Sequence, residues 1–229
     1  RSNVVSAKLG VNAIQTTVKA GVIGFVLVCL IMIAFYAVPG VIACVALAIY
    51  MLMMLLALNG FNATLTLPGL AGIILGIGMA VDANVIIFAR IREEIAAGKS
   101  VESAILAGYN KATSAIVDGN VTTLIAALVL YIFGTGPVKG FATTLAVGNI
   151  VSIFTSLVIT KVIMKLLYNF GIRDAKWYGK NVYRKTLDVL SIKKWAAIGS
   201  AVVIAAGIIT MAVQAGLGNR ALNFSLEFV

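Results

Sequence analysis

Apolar residues run in long blocks along this chain, rather than in the narrow stripe of a soluble helix or the strict alternation of a half-buried strand. A bilayer core of about 30 Å needs roughly 20 residues as helix. Blocks near 18–37, 40–58, 68–89, 116–134, 140–167 and 195–216 meet or approach that length. The pattern predicts an all-α membrane protein, a polytopic bundle of about six transmembrane helices. Helix breakers punctuate the blocks: Pro39-Gly40, then Asn59-Gly60-Phe61-Asn62 with Pro68-Gly69, then Gly134-Thr135-Gly136-Pro137. Each junction is short, so the first two spans form a tight hairpin.

Beyond the last block the pattern changes. Leu222-Asn223-Phe224-Ser225-Leu226-Glu227-Phe228 alternates like a strand and is cut at Val229, and no signal peptide follows Arg1. The chain is expected to be a fragment of a longer protein.

Composition agrees with a membrane location. With 61% hydrophobic residues, 11% charged and a mean hydropathy of +1.06, too little polar surface exists to cover a water-soluble globule. The net charge of +10 does not imply nucleic acid, because Lys and Arg fall between apolar blocks and no recognition motif accompanies them. Thirteen of the 18 (Arg90, Arg92, Lys99, Lys111, and nine from Lys161 to Lys194) fall on one side; Arg1, Lys8, Lys19, Lys139 and Arg220 fall on the other. The positive-inside bias makes the first set cytoplasmic and both chain ends extracytoplasmic.

Arg90 to Ser114 reads as a solvated elbow, with Arg90 and Glu94 spaced for an ion pair and Ser100 placed to cap a second short helix. Residues 169–194 carry seven basic residues with Trp177, Tyr178 and Tyr183, a composition suited to a linker lying on an anionic leaflet. Cys29 and Cys44 sit in apolar blocks as small hydrophobes. Histidine is absent, so proton chemistry near neutral pH falls to carboxylates.

One carboxylate stands out. Between Lys19 and Arg90 the single formal charge is Asp82, in Val81-Asp82-Ala83-Asn84-Val85, and the pattern returns 36 residues later as Val117-Asp118-Gly119-Asn120-Val121. An ionisable residue in so apolar a segment is costly and marks a candidate proton or cation site. Asp82 lies 14 residues from Pro68 and 8 from Arg90, which puts it in the inner half of the membrane; Asp118, 7 residues past Lys111, reaches nearly the same depth. If the two share a polar cavity, repulsion and desolvation raise at least one pKa, the electrostatic basis of a relay. Asn84 and Asn120 point away from the acids and read as interhelical hydrogen-bonding groups. Gly72 and Gly76, four apart, allow another helix to approach closely.

The stretch Gly76 to Glu94, with Ile116-Val117-Asp118-Gly119-Asn120-Val121-Thr122-Thr123-Leu124-Ile125, resembles the SecD membrane region of the Sec protein-export machinery; the family usually has Asp-Ala-Asn where Asp118-Gly119-Asn120 stands. Lys193-Lys194-Trp195 and the alternating end resemble the start of SecF, so the whole is similar to a fused SecDF of the resistance-nodulation-division superfamily. That resemblance implies helices two to six in residues 1–168, a cytoplasmic linker at 169–194, and the seventh helix with the start of an outer domain in 195–229. It also implies proton, sometimes sodium, coupling through the acid at Asp82, with Asp118 supporting. Its implied partners are the SecYEG translocon, accessory Sec proteins and a translocating unfolded polypeptide, in a bacterial or archaeal cytoplasmic membrane.

The expected function is that of a proton-motive-force-coupled accessory subunit of the translocase. The alternatives are an exporter of small molecules or lipids of the same superfamily and a passive assembly subunit. No cofactor motif, phosphate loop or nucleophile constellation is present, so neither enzyme activity nor a bound cofactor is expected.

Overall fold

A computed structural model describes residues 2–61, 66–178 and 189–216. In order these form α1 (Ser2–Tyr36), α2 (Val38–Gly60), α3 (Leu67–Ala96), α4 (Val101–Phe133) and α5 (Pro137–Phe154). A π-helical turn (Thr155–Ile159) then leads into α6 (Thr160–Asn169), a short 3₁₀ turn (Ala175–Tyr178) and α7 (Val189–Gly216). The described residues contain no strand, and five segments are long and apolar enough to cross a membrane: Ile14–Tyr36, α2, α3, α4 and the stretch Pro137–Asn169. The all-helical membrane fold predicted from the hydropathy pattern is the one observed. The chain divides into two units, 1–181 and 182–229. In the second, α7 covers the sixth apolar block; the alternating segment 222–228 lies outside the described residues.

The junctions are tighter than the breakers alone suggest. Only Ala37 separates α1 from α2, in a left-handed conformation (φ 52°) unusual for a residue with a Cβ. Gly40 then lies directly against the Met32 carbonyl, where any Cβ would collide with α1 backbone. At the opposite membrane surface, Thr66 caps α3 by accepting from the Gly69 N–H at 3.1 Å. The same hydroxyl donates to the Pro137 carbonyl at 3.3 Å, tying the N-terminal ends of α3 and α5.

The elbow departs from the sequence reading. Ser100 caps not a second short helix but the whole of α4, continuous from Val101 through the fourth apolar block. Arg90 pairs with Glu93 at 2.6 Å rather than with Glu94. Glu94 is instead bridged by Lys99 and Lys111, each at 2.5 Å, which joins the end of α3 to the first turns of α4.

α3 is the central element of the first unit, packed mainly on α5 and α4. Its buried face, including Ile77, Ala80, Ala83, Ile87 and Ile91, meets Tyr50 of α2 and Ile105, Tyr109 and Ile116 of α4. Small residues permit this closeness. Gly72 faces Thr144 and Phe141 of α5, and Gly76 faces the Tyr50 hydroxyl. Gly108 of α4 sits against the Ile91 backbone, an added Cβ lying 2.9 Å from its nitrogen. The outward faces of α1 and α4 are apolar and exposed, as helices surrounded by lipid require.

Replacing Gly108 by Val forces α3 and α4 apart and is expected to cost about 1–3 kcal/mol. Gly78→Ala, on a face with nothing within 4 Å, serves as the control. Thermal unfolding of the purified protein should show a lowered Tm for the first variant only.

Candidate functional site

Asp82 and Asp118 face open ground on α3 and α4, both exposed in this chain. The antiparallel packing sets their relative depth. With Gly108 against Ile91, nine residues back along α3 is Asp82 and nine on along α4 is Val117, so the two acids stand level within one residue. Level does not mean joined. Asp82 opens onto a groove of about 210 Å³ whose other walls include Ala115, Gly119, Asn120 and Thr123 of α4. Asp118 is not among that groove's lining residues; its carboxylate accepts from the Ser114 hydroxyl one turn earlier at 3.3 Å. No hydrogen bond or ion pair joins the two among the described residues.

The groove is walled by small side chains because α4 carries Ala115 and Gly119 one turn apart on that face, leaving room beside the α3 carboxylate. Its polar atoms are Asp82 itself, Asn120 and Thr123. The hydroxyls of Thr122 and Thr123 donate to the Gly119 carbonyl at 2.6 and 3.3 Å, so α4 keeps its own polar groups paired next to the acid.

The asparagines differ from the expectation that their side chains would bridge helices. Asn84 is buried and its amide donates to the Ala80 carbonyl of its own helix at 3.2 Å; Asn120 likewise donates to Ile116 at 2.6 Å. At this level an interhelical bond is made by Asn149 of α5, which the sequence reading passed over. Its amide donates to the Asn120 backbone carbonyl at 2.7 Å, directly behind the groove. The signal was present as Thr144, Gly148, Asn149, Ser152, Ser156 and Thr160, small or polar residues returning about every turn through an otherwise apolar span.

At the C-terminal end of α3, beyond its apolar part, Glu94 is nearly buried between its two lysines. Hydrogen bonds from Lys111 and then Lys99 hold its carboxyl well below the usual carboxylate range, at about 2. The shift is downward, so the stabilisation is complete above the unfolded carboxylate pKa of about 4. It is lost only as the pH falls through the folded value.

The comparisons with known proteins decide the family. The description "Protein export membrane protein SecD/SecF, C-terminal" matches residues 1–169. This chain belongs to the SecD/SecF family. The SecD subunit of the protein translocase of Acidaminococcus fermentans is 48% identical over 182 residues, covering 79% of this chain and 43% of that protein. The SecDF subunit of Bacillus subtilis is 39% identical over 246 residues, covering 99% of this chain and 33% of its own length. Among solved structures, SecDF from Thermus thermophilus, a translocon-associated membrane protein, aligns with a TM-score of 0.77 at 35% identity, over 89% of this chain and 27% of that one. SecDF in a super-membrane-facing form gives 0.80 at 34% identity, over 95% and 29%. The chain spans less than half the length of these SecD and SecDF relatives.

Two outcomes test this geometry. Asn149→Ala removes the clamp on Asn120 and should lower stability by about 1 kcal/mol, read as a drop in Tm. Glu94→Gln removes both lysine bridges, and amide hydrogen exchange at residues 97–100 should quicken while exchange around Asp82 does not change.

Proposed function

We propose that residues 1–168 of this chain belong to the SecD membrane domain of a fused SecDF protein-export subunit, and that protonation of Asp82, with Asp118 in support, couples ion movement to the pulling of an unfolded polypeptide through the translocon. The observation that carries this reading is Asp82. A carboxylate without a cationic partner among the described residues lies in a groove on a helix otherwise free of charge from its outer end to Arg90. An ionisable side chain inside a membrane-spanning helix is costly and marks an ion or proton pathway.

The names of the relatives favour protein export over export of small molecules or lipids. The two acids stand level but are not bonded, which supports two sites of unequal role rather than one carboxylate pair sharing a proton. The resemblance further implies an acid and a basic residue in the second, SecF-like half as partners of the relay, and the open groove leaves Asp82 accessible to such groups. The coupling ion is H⁺ or Na⁺, the protein partners are SecYEG and its accessory subunits, and the location is a bacterial cytoplasmic membrane with both ends of this chain outside. The subunit works as a transporter component and not as an enzyme.

Asp82→Asn keeps the shape and removes titration. In proteoliposomes holding the complete translocase, it should abolish the stimulation of export by a proton gradient, while Asp118→Asn reduces it less. Full gradient dependence in the Asp82 variant would refute the coupling role.

A further inference from the structure

A hydroxyl or amide left unpaired inside a lipid-surrounded bundle costs more than the same group near water. Six side-chain atoms are buried with no hydrogen-bond partner among the described residues, and five of them belong to α2, α3, α5 and the π turn: Tyr50 Oη, Asn84 Oδ1, Asn149 Oδ1, Ser152 Oγ and Thr155 Oγ1. The residues that carry them are 2% exposed or less.

Their proximity follows from how the helices pack. The Tyr50 hydroxyl of α2 is lodged between Gly76 of α3 and Gly148 of α5. Asn149 adjoins Gly148, and Ser152 and Thr155 follow Asn149 at intervals of three residues along the same side of the helix. α3 and α5 run in the same direction, with Gly72 against Thr144 and Gly76 level with Gly148. Two further turns bring Asn84 level with Thr155 and Ser156, where the π turn packs on α3. Register alone thus puts the five residues within about 10 Å of one another along the helix axes.

The chemistry of the seam selects its ligand. Every group is a neutral oxygen; the three hydroxyls both donate and accept, and the two amide oxygens accept. No carboxylate joins them, since Asp82 is on the exposed side of α3 while Asn84 is buried. Such a set suits water, which needs two to four polar partners, better than a bare cation.

We propose that α3 and α5 enclose a short file of bound water molecules, bridging Tyr50 and Asn149 at one end to Asn84 and Thr155 at the other. The contact between the acid-bearing helix and α5 is then water-mediated over these two turns, and its hydrogen bonds can be remade without unpacking the bundle. This site stands whether or not Asp82 carries protons.

Pulsed X-ray hydroxyl-radical labelling of the full-length protein in lipid nanodiscs tests it, because radicals born from bound water oxidise the side chains beside it however deeply they lie. Tyr50 is expected to be oxidised several-fold faster than Phe88, an equally buried ring in apolar surroundings. In the double variant Ser152→Ala/Thr155→Val that excess should shrink. Labelling of Tyr50 no faster than Phe88 overturns the proposal. As a second measurement, Thr155→Val should lower Tm if its hydroxyl is bonded to water, whereas a raised Tm, the result for removing an unpaired hydroxyl, also overturns it. The labelling should be the same in sodium and potassium buffers; protection specific to sodium would make the ligand a cation instead.

Discussion

Helices in lipid gain little from hiding apolar surface, since the acyl chains are as apolar as their side chains, so this bundle depends on how closely backbones approach. α3 meets that condition on two sides. Toward α5 and α2 the approach is made at Gly72 and Gly76, the latter receiving a tyrosine hydroxyl; toward α4 it is made at Gly108, pressed on the Ile91 backbone. The Thr66 hydroxyl fixes the first contact at the N-terminal end of α3 and the Glu94 carboxylate fixes the second at its C-terminal end. Between these points the depth of every side chain on α3 is set.

That fixed depth gives the acids their meaning. The same register that puts Gly108 on Ile91 brings Asp82 level with Asp118 and opposite Gly119. Small residues that serve packing at one level leave an open groove at another, because nothing fills the space around Gly119. Behind the groove, Asn149 holds α5 to the Asn120 carbonyl, so the wall facing Asp82 is anchored from the back.

Much of this was legible in the sequence. Hydropathy gave six apolar blocks, five of which are helices of spanning length among the described residues, and the breakers located the junctions; the lone acid in the third block is the one that opens onto the groove. What escaped were pairings that local spacing does not decide. Glu94 could satisfy Arg90 at i, i+4, yet two lysines from across the elbow reach it, a contact that exists only once α4 folds back. Asn84 and Asn120 could reach neighbouring helices, yet an asparagine amide can also bond the carbonyl four residues back on its own helix, and both do so. The polar stripe of α5 was overlooked because hydroxyls and an amide carry no charge to draw attention. Its significance appears only when a neighbouring helix covers it.

The length of α3 carries a mechanical consequence. At 30 residues it measures about 45 Å, well beyond the roughly 30 Å hydrocarbon thickness, and it stays helical to Ala96 with no hinge at the interface. From Asp82 to that tip is a stiff arm of about 21 Å, pinned to α4 at its far end by the Glu94 bridges. Any rocking of the helix at the level of its acid is thus magnified outside the bilayer: a tilt of about ten degrees sweeps the α3–α4 elbow through roughly 4 Å, turning a small adjustment within the lipid into leverage at the water boundary.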